Sequence, residues 1–167
     1  TIMFDRTTAE EMLTSVFAAW VQDLNLSIES LGQEGAVLRM KFSNELCRDN
    51  GVVCGQALMS LADTAMVFAV SSAGGAYRPM TTVDQTMHFL RSAASADVLA
   101  DAKVVRLGRT MAFGSVTLKF GRKRHSSCTK RPTSSWRARA SGSPPVMENC
   151  VAPPPRSRIS AVESPRL

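Results

Sequence analysis

Two groups within one apolar stretch have the chemistry to act on a carbonyl compound. Asp63 is the single charged residue in residues 54–72, which are otherwise apolar, small or uncharged. A carboxylate in such surroundings is costly to keep ionised unless another group pairs with it or the protein uses it. Gly55 lies at the expected start of the same helix, where unpaired N–H groups and the helix dipole favour a developing negative charge.

Together these groups suit the hydrolysis of an acyl compound. Asp63 would act as base toward water or as nucleophile, and the Gly55 N–H would stabilise the oxyanion. The glycine would also let a substrate carbonyl approach the backbone closely. Eight residues along a helix correspond to about 12 Å, so one helix cannot bring both groups to one carbonyl. A symmetric dimer can, if one subunit offers Gly55 and its partner offers Asp63.

The residues alone leave structural alternatives open. Asp63 could instead form a structural ion pair with an arginine such as Arg48, Arg78 or Arg91. Gly55 could be a simple turn residue.

The remaining pattern supplies elements that would surround this helix. Residues 8–21 have helical apolar spacing, with Thr8 as the predicted cap and Glu11 three residues later. Residues 26–42 alternate with a period of two on either side of the turn at 32–35, which predicts a hairpin. Residues 43–55 should form a loop, and Gly74 with Gly75 should end the central helix.

Three segments after Pro79 have strand character. They are residues 81–91, 97–107 and 110–120, and the last two flank a hairpin turn at Gly108 and Arg109. The order of helix, two strands, buried helix and three strands predicts an α+β fold in which an antiparallel sheet folds around the central helix.

The charge distribution divides the chain at residue 121. Residues 1–121 contain ten Lys/Arg and twelve Asp/Glu, a net charge of −2, and residues 122–167 contain ten against two, a net of +8. Seven of the eight prolines lie in the second part, which has no predicted strand. The prediction is therefore a globular domain in 1–121 and a basic Pro/Ser/Arg-rich tail in 122–167, disordered or out of the native reading frame. Its scattered arginines do not favour nucleic acid binding.

Other classes of protein are disfavoured by composition. The uninterrupted apolar stretches are shorter than the roughly 20 residues that span a bilayer, and no export signal is evident, so a cytoplasmic protein without membrane contact is expected. The spacing of the four cysteines matches no zinc pattern, and free thiols are favoured over disulfides.

Three motifs carry a specific resemblance. They are GVVCGQALMSLADTAM at 51–66, TTVDQTMHFLRSA at 81–93 and ADAKVVRLGRTMAFGSVTL at 100–118. Together they resemble the PaaI-type acyl-CoA thioesterases of the hot-dog fold superfamily, over about residues 8–120. The resemblance implies a sheet wrapped around a long helix, assembly into a homodimer or homotetramer, and an acyl-CoA substrate with no other cofactor. A non-catalytic acyl-CoA-binding protein on the same fold is the alternative.

The same resemblance assigns roles to individual residues. By position, Asp63 matches the catalytic carboxylate of the LAD motif, and Gly55 matches the glycine whose N–H polarises the thioester carbonyl, the two coming from different subunits. Many members have His-Gly-Gly at the helix start, where this chain has Cys54-Gly55-Gln56. The asparagine often found six residues before that histidine aligns with Arg48, and Asn50 lies close by. Candidate substrate contacts are therefore Arg48, Asn50, Cys54 and Gln56.

Overall fold

A long helix, α3 (Gly55–Gly74), forms the centre of the fold, and an antiparallel sheet of six strands covers it in the computed structural model. The structure describes residues 4–120 and 133–140. This arrangement confirms the predicted α+β hot-dog fold. The elements that precede α3 are α1 (Arg6–Ser15), α2 (Ala19–Gln22), β1 (Leu26–Gly32), β2 (Gly35–Met40), β3 (Cys47–Arg48) and β4 (Val52–Val53). Those that follow are β5 (Met80–Met87), β6 (Val98–Leu107), β7 (Met111–Phe120) and β8 (Thr133–Ala140).

The sheet has the strand order β1-β2-β6-β7-β8-β5, and β3 pairs with β4 in a separate two-stranded ribbon. Both predicted hairpins are confirmed, since Gly32 pairs with Gly35 across the first turn and β6 pairs with β7 across the second. The order leaves β5 at one edge of the sheet. Strand β5 also crosses the side of α3 that carries Asp63, and this placement determines the candidate site.

Helix α3 is buried because apolar side chains cover most of its circumference. Leu61, Met66 and Phe68 have no measurable exposure, and Gly75 ends the helix in the left-handed conformation (φ 75°), as predicted. By length and composition alone α3 could cross a bilayer. However, 61% of that apolar window is buried inside the protein, as expected for a core helix.

The N-terminal helix departs from its prediction. Instead of one helix over 8–21 there are two, and Asp5 caps α1 by accepting from the N–H of Thr8 at 2.9 Å. Between the helices, the Phe17 ring stacks on the core ring of Phe68 with centroids 5.7 Å apart. The Gln22 side-chain amide donates to the Phe17 carbonyl at 2.8 Å. Core packing and this amide stabilise a break that helical periodicity alone does not reveal.

The prediction that no strand follows residue 121 is wrong for Thr133–Ala140. This segment forms β8, which pairs with β7 on one side and with β5 on the other. Pairing on both sides supplies the backbone hydrogen bonds that define a strand, and no proline interrupts the segment. Residues 121–132 and 141–167 lie outside the described residues, so for them the division of the chain at residue 121 stays a prediction.

Hydrogen bonds to an aspartate side chain fix the start of the loop that leads to α3. Asp97, just before β6, accepts from the backbone N–H of Phe42 at 2.9 Å and from Arg39 at 3.1 Å. The Phe42 N–H, followed by Arg39, lowers the pKa of the Asp97 carboxyl below its ordinary value. Phe42 follows β2, so this contact ties the end of that strand to β6.

Candidate active site

The first turn of α3 begins at Gly55 and carries the candidate oxyanion donor. Cys54 precedes it in an extended conformation (φ −68°, ψ 149°), and no side chain caps the helix. The Cys54 N–H donates to the Leu46 carbonyl at 2.8 Å, and the Val53 N–H donates to the Ala93 carbonyl at 2.8 Å. The first bond holds the helix start against the segment before β3, and the second holds it against the segment that follows β5. The first N–H groups of a helix have no acceptor within it, so this end favours an anion.

A cavity of about 580 Å³ opens in front of this helix start. Three of the predicted contacts, Arg48, Cys54 and Gln56, line it together with Gly55. Arg91 also lines it, from the segment after β5, and both arginines are exposed. The cavity therefore has two positively charged side chains beside a helix N-terminus.

Asn50 is placed differently from the other predicted contacts. It lies exposed in the turn between β3 and β4, in the left-handed region (φ 66°), and it is absent from the described residues that line the cavity. Its position favours a turn role, because asparagine tolerates this conformation better than most residues.

The ring of Phe89 covers the side of Gly55. A Cβ atom built on Gly55 would lie 3.3 Å from the Phe89 Cζ atom, tighter than ordinary van der Waals contact. Phe89 also lines the cavity, and the residue is 53% exposed. Glycine at this position therefore gives both the aromatic ring and a bound carbonyl room near the backbone.

Asp63 lies on α3 beside β5 and is partly buried. The Thr82 hydroxyl donates to its Oδ1 atom at 2.6 Å. On the same side of α3, the Gln85 amide donates to the Met59 carbonyl at 3.2 Å. These two contacts fix β5 against the helix and orient the Asp63 carboxylate.

The ion pairs between described side chains do not join Asp63 to Arg48, Arg78 or Arg91. Asp63 is also absent from the described lining of the cavity at Gly55. One chain thus keeps the carboxylate and the helix N-terminus apart, as the spacing of eight residues requires.

The edge next to Asp63 exposes several large apolar side chains. Val83 on β5 is 57% exposed, Leu90 is 62% exposed and Met59 on α3 is 39% exposed. Among the strands that the structure describes, β5 lies at the edge of the sheet, and an edge strand with apolar neighbours is a surface on which another chain can pair.

Two residues of this site were not predicted from the sequence. Thr82 is one of several threonines in its strand, and nothing local distinguishes the one that contacts Asp63. Phe89 follows β5, and its contact with Gly55 depends on how the segment crosses the helix start. Both contacts join positions that are at least 19 residues apart in the chain.

The candidate site lies in a segment of the chain that matches a known protein family. Residues 50–122 match the model of the thioesterase superfamily, a segment that includes Gly55, Asp63 and Thr82. No protein with curated annotation matches the chain at a significant level.

Solved structures with the same fold match a larger part of the chain than residues 50–122. A conserved protein from Pseudomonas aeruginosa is 26% identical with a TM-score of 0.67, over 79% of this chain and 98% of that one. The PaaI protein of the E. coli phenylacetic acid degradation operon is 22% identical with a TM-score of 0.67, over 81% and 92%. A hypothetical thioesterase from Streptococcus pneumoniae, solved with coenzyme A, is 19% identical with a TM-score of 0.60, over 71% and 87%. The resemblance to PaaI-type hot-dog proteins is thereby confirmed.

Proposed function

We propose that this chain, whose residues 50–122 match the thioesterase superfamily within a hot-dog fold, hydrolyses an acyl-CoA thioester to a free acid and coenzyme A. The observation that carries the proposal is the placement of Asp63. Its carboxylate lies on the central helix, oriented by the Thr82 hydroxyl, beside an open sheet edge. The S. pneumoniae structure with coenzyme A supports a coenzyme A thioester as the substrate.

The proposed reaction uses Asp63 as base or as nucleophile. As base, the carboxylate takes a proton from water while the water oxygen bonds to the thioester carbon. The carbonyl oxygen becomes an oxyanion, which the Gly55 N–H stabilises. When the intermediate collapses, the carbon–sulfur bond breaks, and the proton held by Asp63 passes to the departing thiolate. As nucleophile, Asp63 itself displaces the thiolate, and water then hydrolyses the resulting anhydride.

A complete site requires two subunits in this proposal. Asp63 and Gly55 are about 12 Å apart along one helix axis, so the carbonyl must be held between one subunit's Gly55 and the partner's carboxylate. Pairing of two β5 edges in a symmetric dimer would cover Val83 and bring the two α3 helices alongside each other. We therefore propose a homodimer, or a homotetramer built from such dimers.

The cavity at Gly55 supplies the proposed substrate contacts. We propose that Arg48 and Arg91, which line the cavity, bind anionic groups of the coenzyme, and that Cys54 and Gln56 contact the substrate beside the helix start. The chemistry needs only a carboxylate and an N–H group, so we propose no cofactor apart from the coenzyme A of the substrate.

The test of this function is a substrate panel. Purified full-length protein is incubated with short, long and aromatic acyl-CoA thioesters, and the released thiol is measured. Turnover of at least one thioester supports an enzyme. If none is hydrolysed while acyl-CoA still binds, the chain is a binding protein and the proposal fails.

Thr82 is proposed as a positioning residue for the Asp63 carboxylate. Thr82→Val keeps the shape of the side chain and removes the hydroxyl, so we expect kcat to fall about tenfold, as for the loss of one hydrogen bond to a charged group. Thr82→Ser keeps the donor and should stay within about threefold of wild type. The same thiol assay measures both variants. Equal loss in both, or no loss in Thr82→Val, contradicts a role through the hydroxyl.

A further inference from the structure

A second cavity, of about 200 Å³, lies at the C-terminal end of α3. The helix end, the start of β5 and the turn between β6 and β7 enclose it. Its walls are largely apolar and include Val70, Met80, Leu107 and Met111. Two charged residues, Arg78 and Arg109, also line it. A Cβ atom built on Gly74 would lie in ordinary van der Waals contact with the Leu107 side chain, at 3.9 Å, so a larger side chain at this position would extend into the cavity.

This cavity lies on the same side of α3 as Asp63. Val70 follows Asp63 by seven residues, which is about two helical turns, so both lie on one side of α3 about 10 Å apart along the axis. On β5, Thr82 contacts Asp63, and Met80, two residues earlier on the same strand face, lines the cavity. An acyl group whose carbonyl lies at Asp63 and whose chain extends along this side of the helix is therefore directed toward the cavity, about 10 Å away along the helix axis.

The two arginines make the far end of the cavity positively charged. Arg78 and Arg109 are exposed, and neither forms an ion pair with a side chain that the structure describes. The described lining contains no carboxylate that would repel an anion. Apolar walls followed by two guanidinium groups complement a ligand with a hydrocarbon body and an anionic end.

We infer that this cavity receives the distal part of the acyl group, and that Arg78 and Arg109 select acyl groups that end in a carboxylate. The inference rests on the proposed function and narrows its substrate class to ω-carboxyacyl thioesters. The cavity is smaller than the roughly 300–1,000 Å³ of sites that enclose larger ligands, so a short hydrocarbon chain fits it better than the nucleotide of the coenzyme.

The experiment compares octanoyl and octanedioyl thioesters, each carried on coenzyme A and on N-acetylcysteamine, which has no phosphate. For wild type we expect kcat/KM to be about tenfold higher for octanedioyl than for octanoyl on both carriers. The double variant Arg78→Gln/Arg109→Gln should lose this preference and keep octanoyl hydrolysis within about twofold. Arg106→Gln is the matched control: Arg106 is exposed on the same hairpin, lies outside the cavity lining and should leave both rates unchanged.

A second variant tests whether the acyl chain enters this cavity, and it leaves the charge of the cavity lining unchanged. Gly74→Leu should fill part of the cavity and lower kcat/KM for both eight-carbon substrates, while a two-carbon acetyl thioester is hydrolysed as by wild type.

Each other outcome overturns a defined part of the inference. If wild type hydrolyses octanoyl and octanedioyl thioesters equally well, the inferred specificity is wrong and the thioesterase function stands. If the arginine variant is impaired only with coenzyme A thioesters, the arginines contact the phosphates and not the acyl end. If no thioester is hydrolysed, the proposed function itself fails, and this inference fails with it.

Discussion

Asp63→Asn is expected to lower kcat for thioester hydrolysis by about 10²–10⁴-fold, the range that a positioned general base contributes. The asparagine keeps the size of the side chain and an oxygen that can accept from Thr82, whose hydroxyl lies 2.6 Å from the carboxylate. It cannot take a proton from water or attack a thioester. Thiol release measures kcat, and calorimetric titration with a non-hydrolysable thioether analogue should show nearly unchanged affinity.

Asp84→Asn is the matched control for the loss of one negative charge nearby. Asp84 is exposed on β5, two residues after Thr82, and pairs across the sheet with the backbone of Arg137. This variant should retain wild-type kcat. Retention of more than about a tenth of the activity by Asp63→Asn would exclude the carboxylate as the catalytic group.

Gly55→Pro is expected to reduce kcat by about 10²–10³-fold, as does the loss of one oxyanion donor in other acyl-transfer sites. Proline removes the N–H and fits the first position of a helix, where its fixed φ is already adopted. Cys54 has the extended conformation that a residue before proline prefers, with φ −68° and ψ 149°. The helix should therefore form normally, which circular dichroism and thermal unfolding can verify.

Gly55→Ala separates the N–H from the steric effect. Both variants introduce a Cβ atom 3.3 Å from the Phe89 ring, which must shift by a few tenths of an ångström, but only alanine keeps the donor. We expect Gly55→Ala to lose clearly less of kcat than Gly55→Pro, because its Cβ atom crowds the Phe89 ring and the bound carbonyl but the N–H donor is kept. If alanine and proline impair turnover equally, then contact with Phe89, and not the N–H, explains the effect at Gly55.

Local patterns were sufficient for much of the fold. The hairpin of β1 and β2 follows from alternation about a glycine-containing turn, which only an irregularity between Ile28 and Ser30 interrupts, and the end of α3 follows from Gly75. Asp63 and Gly55 could be singled out because a lone charge in an apolar helix and a glycine at a helix start are both local features. Each of these signals lies within a few residues of the feature that it predicts.

Contacts between residues far apart in the sequence determine the features that local patterns did not predict. The break between α1 and α2 depends on the stacking of Phe17 on Phe68, 51 residues later in the chain. Strand β8 is separated from β7 by residues 121–132, and it becomes a strand through pairing on both sides rather than through an apolar pattern. Likewise, the partner of Asp63 is set by where β5 crosses α3, so Thr82 could not be identified from its neighbours.

The central claim is that one site combines Gly55 of one subunit with the carboxylate of the other, and a mixed dimer tests it most directly. Asp63→Asn and Gly55→Pro chains carrying different affinity tags are co-expressed, and the mixed dimer is isolated through both tags. Each variant alone should be nearly inactive. The mixed dimer has one intact pair of groups and should recover about half of the wild-type kcat per dimer. A mixed dimer as inactive as its parents would contradict a site shared between subunits.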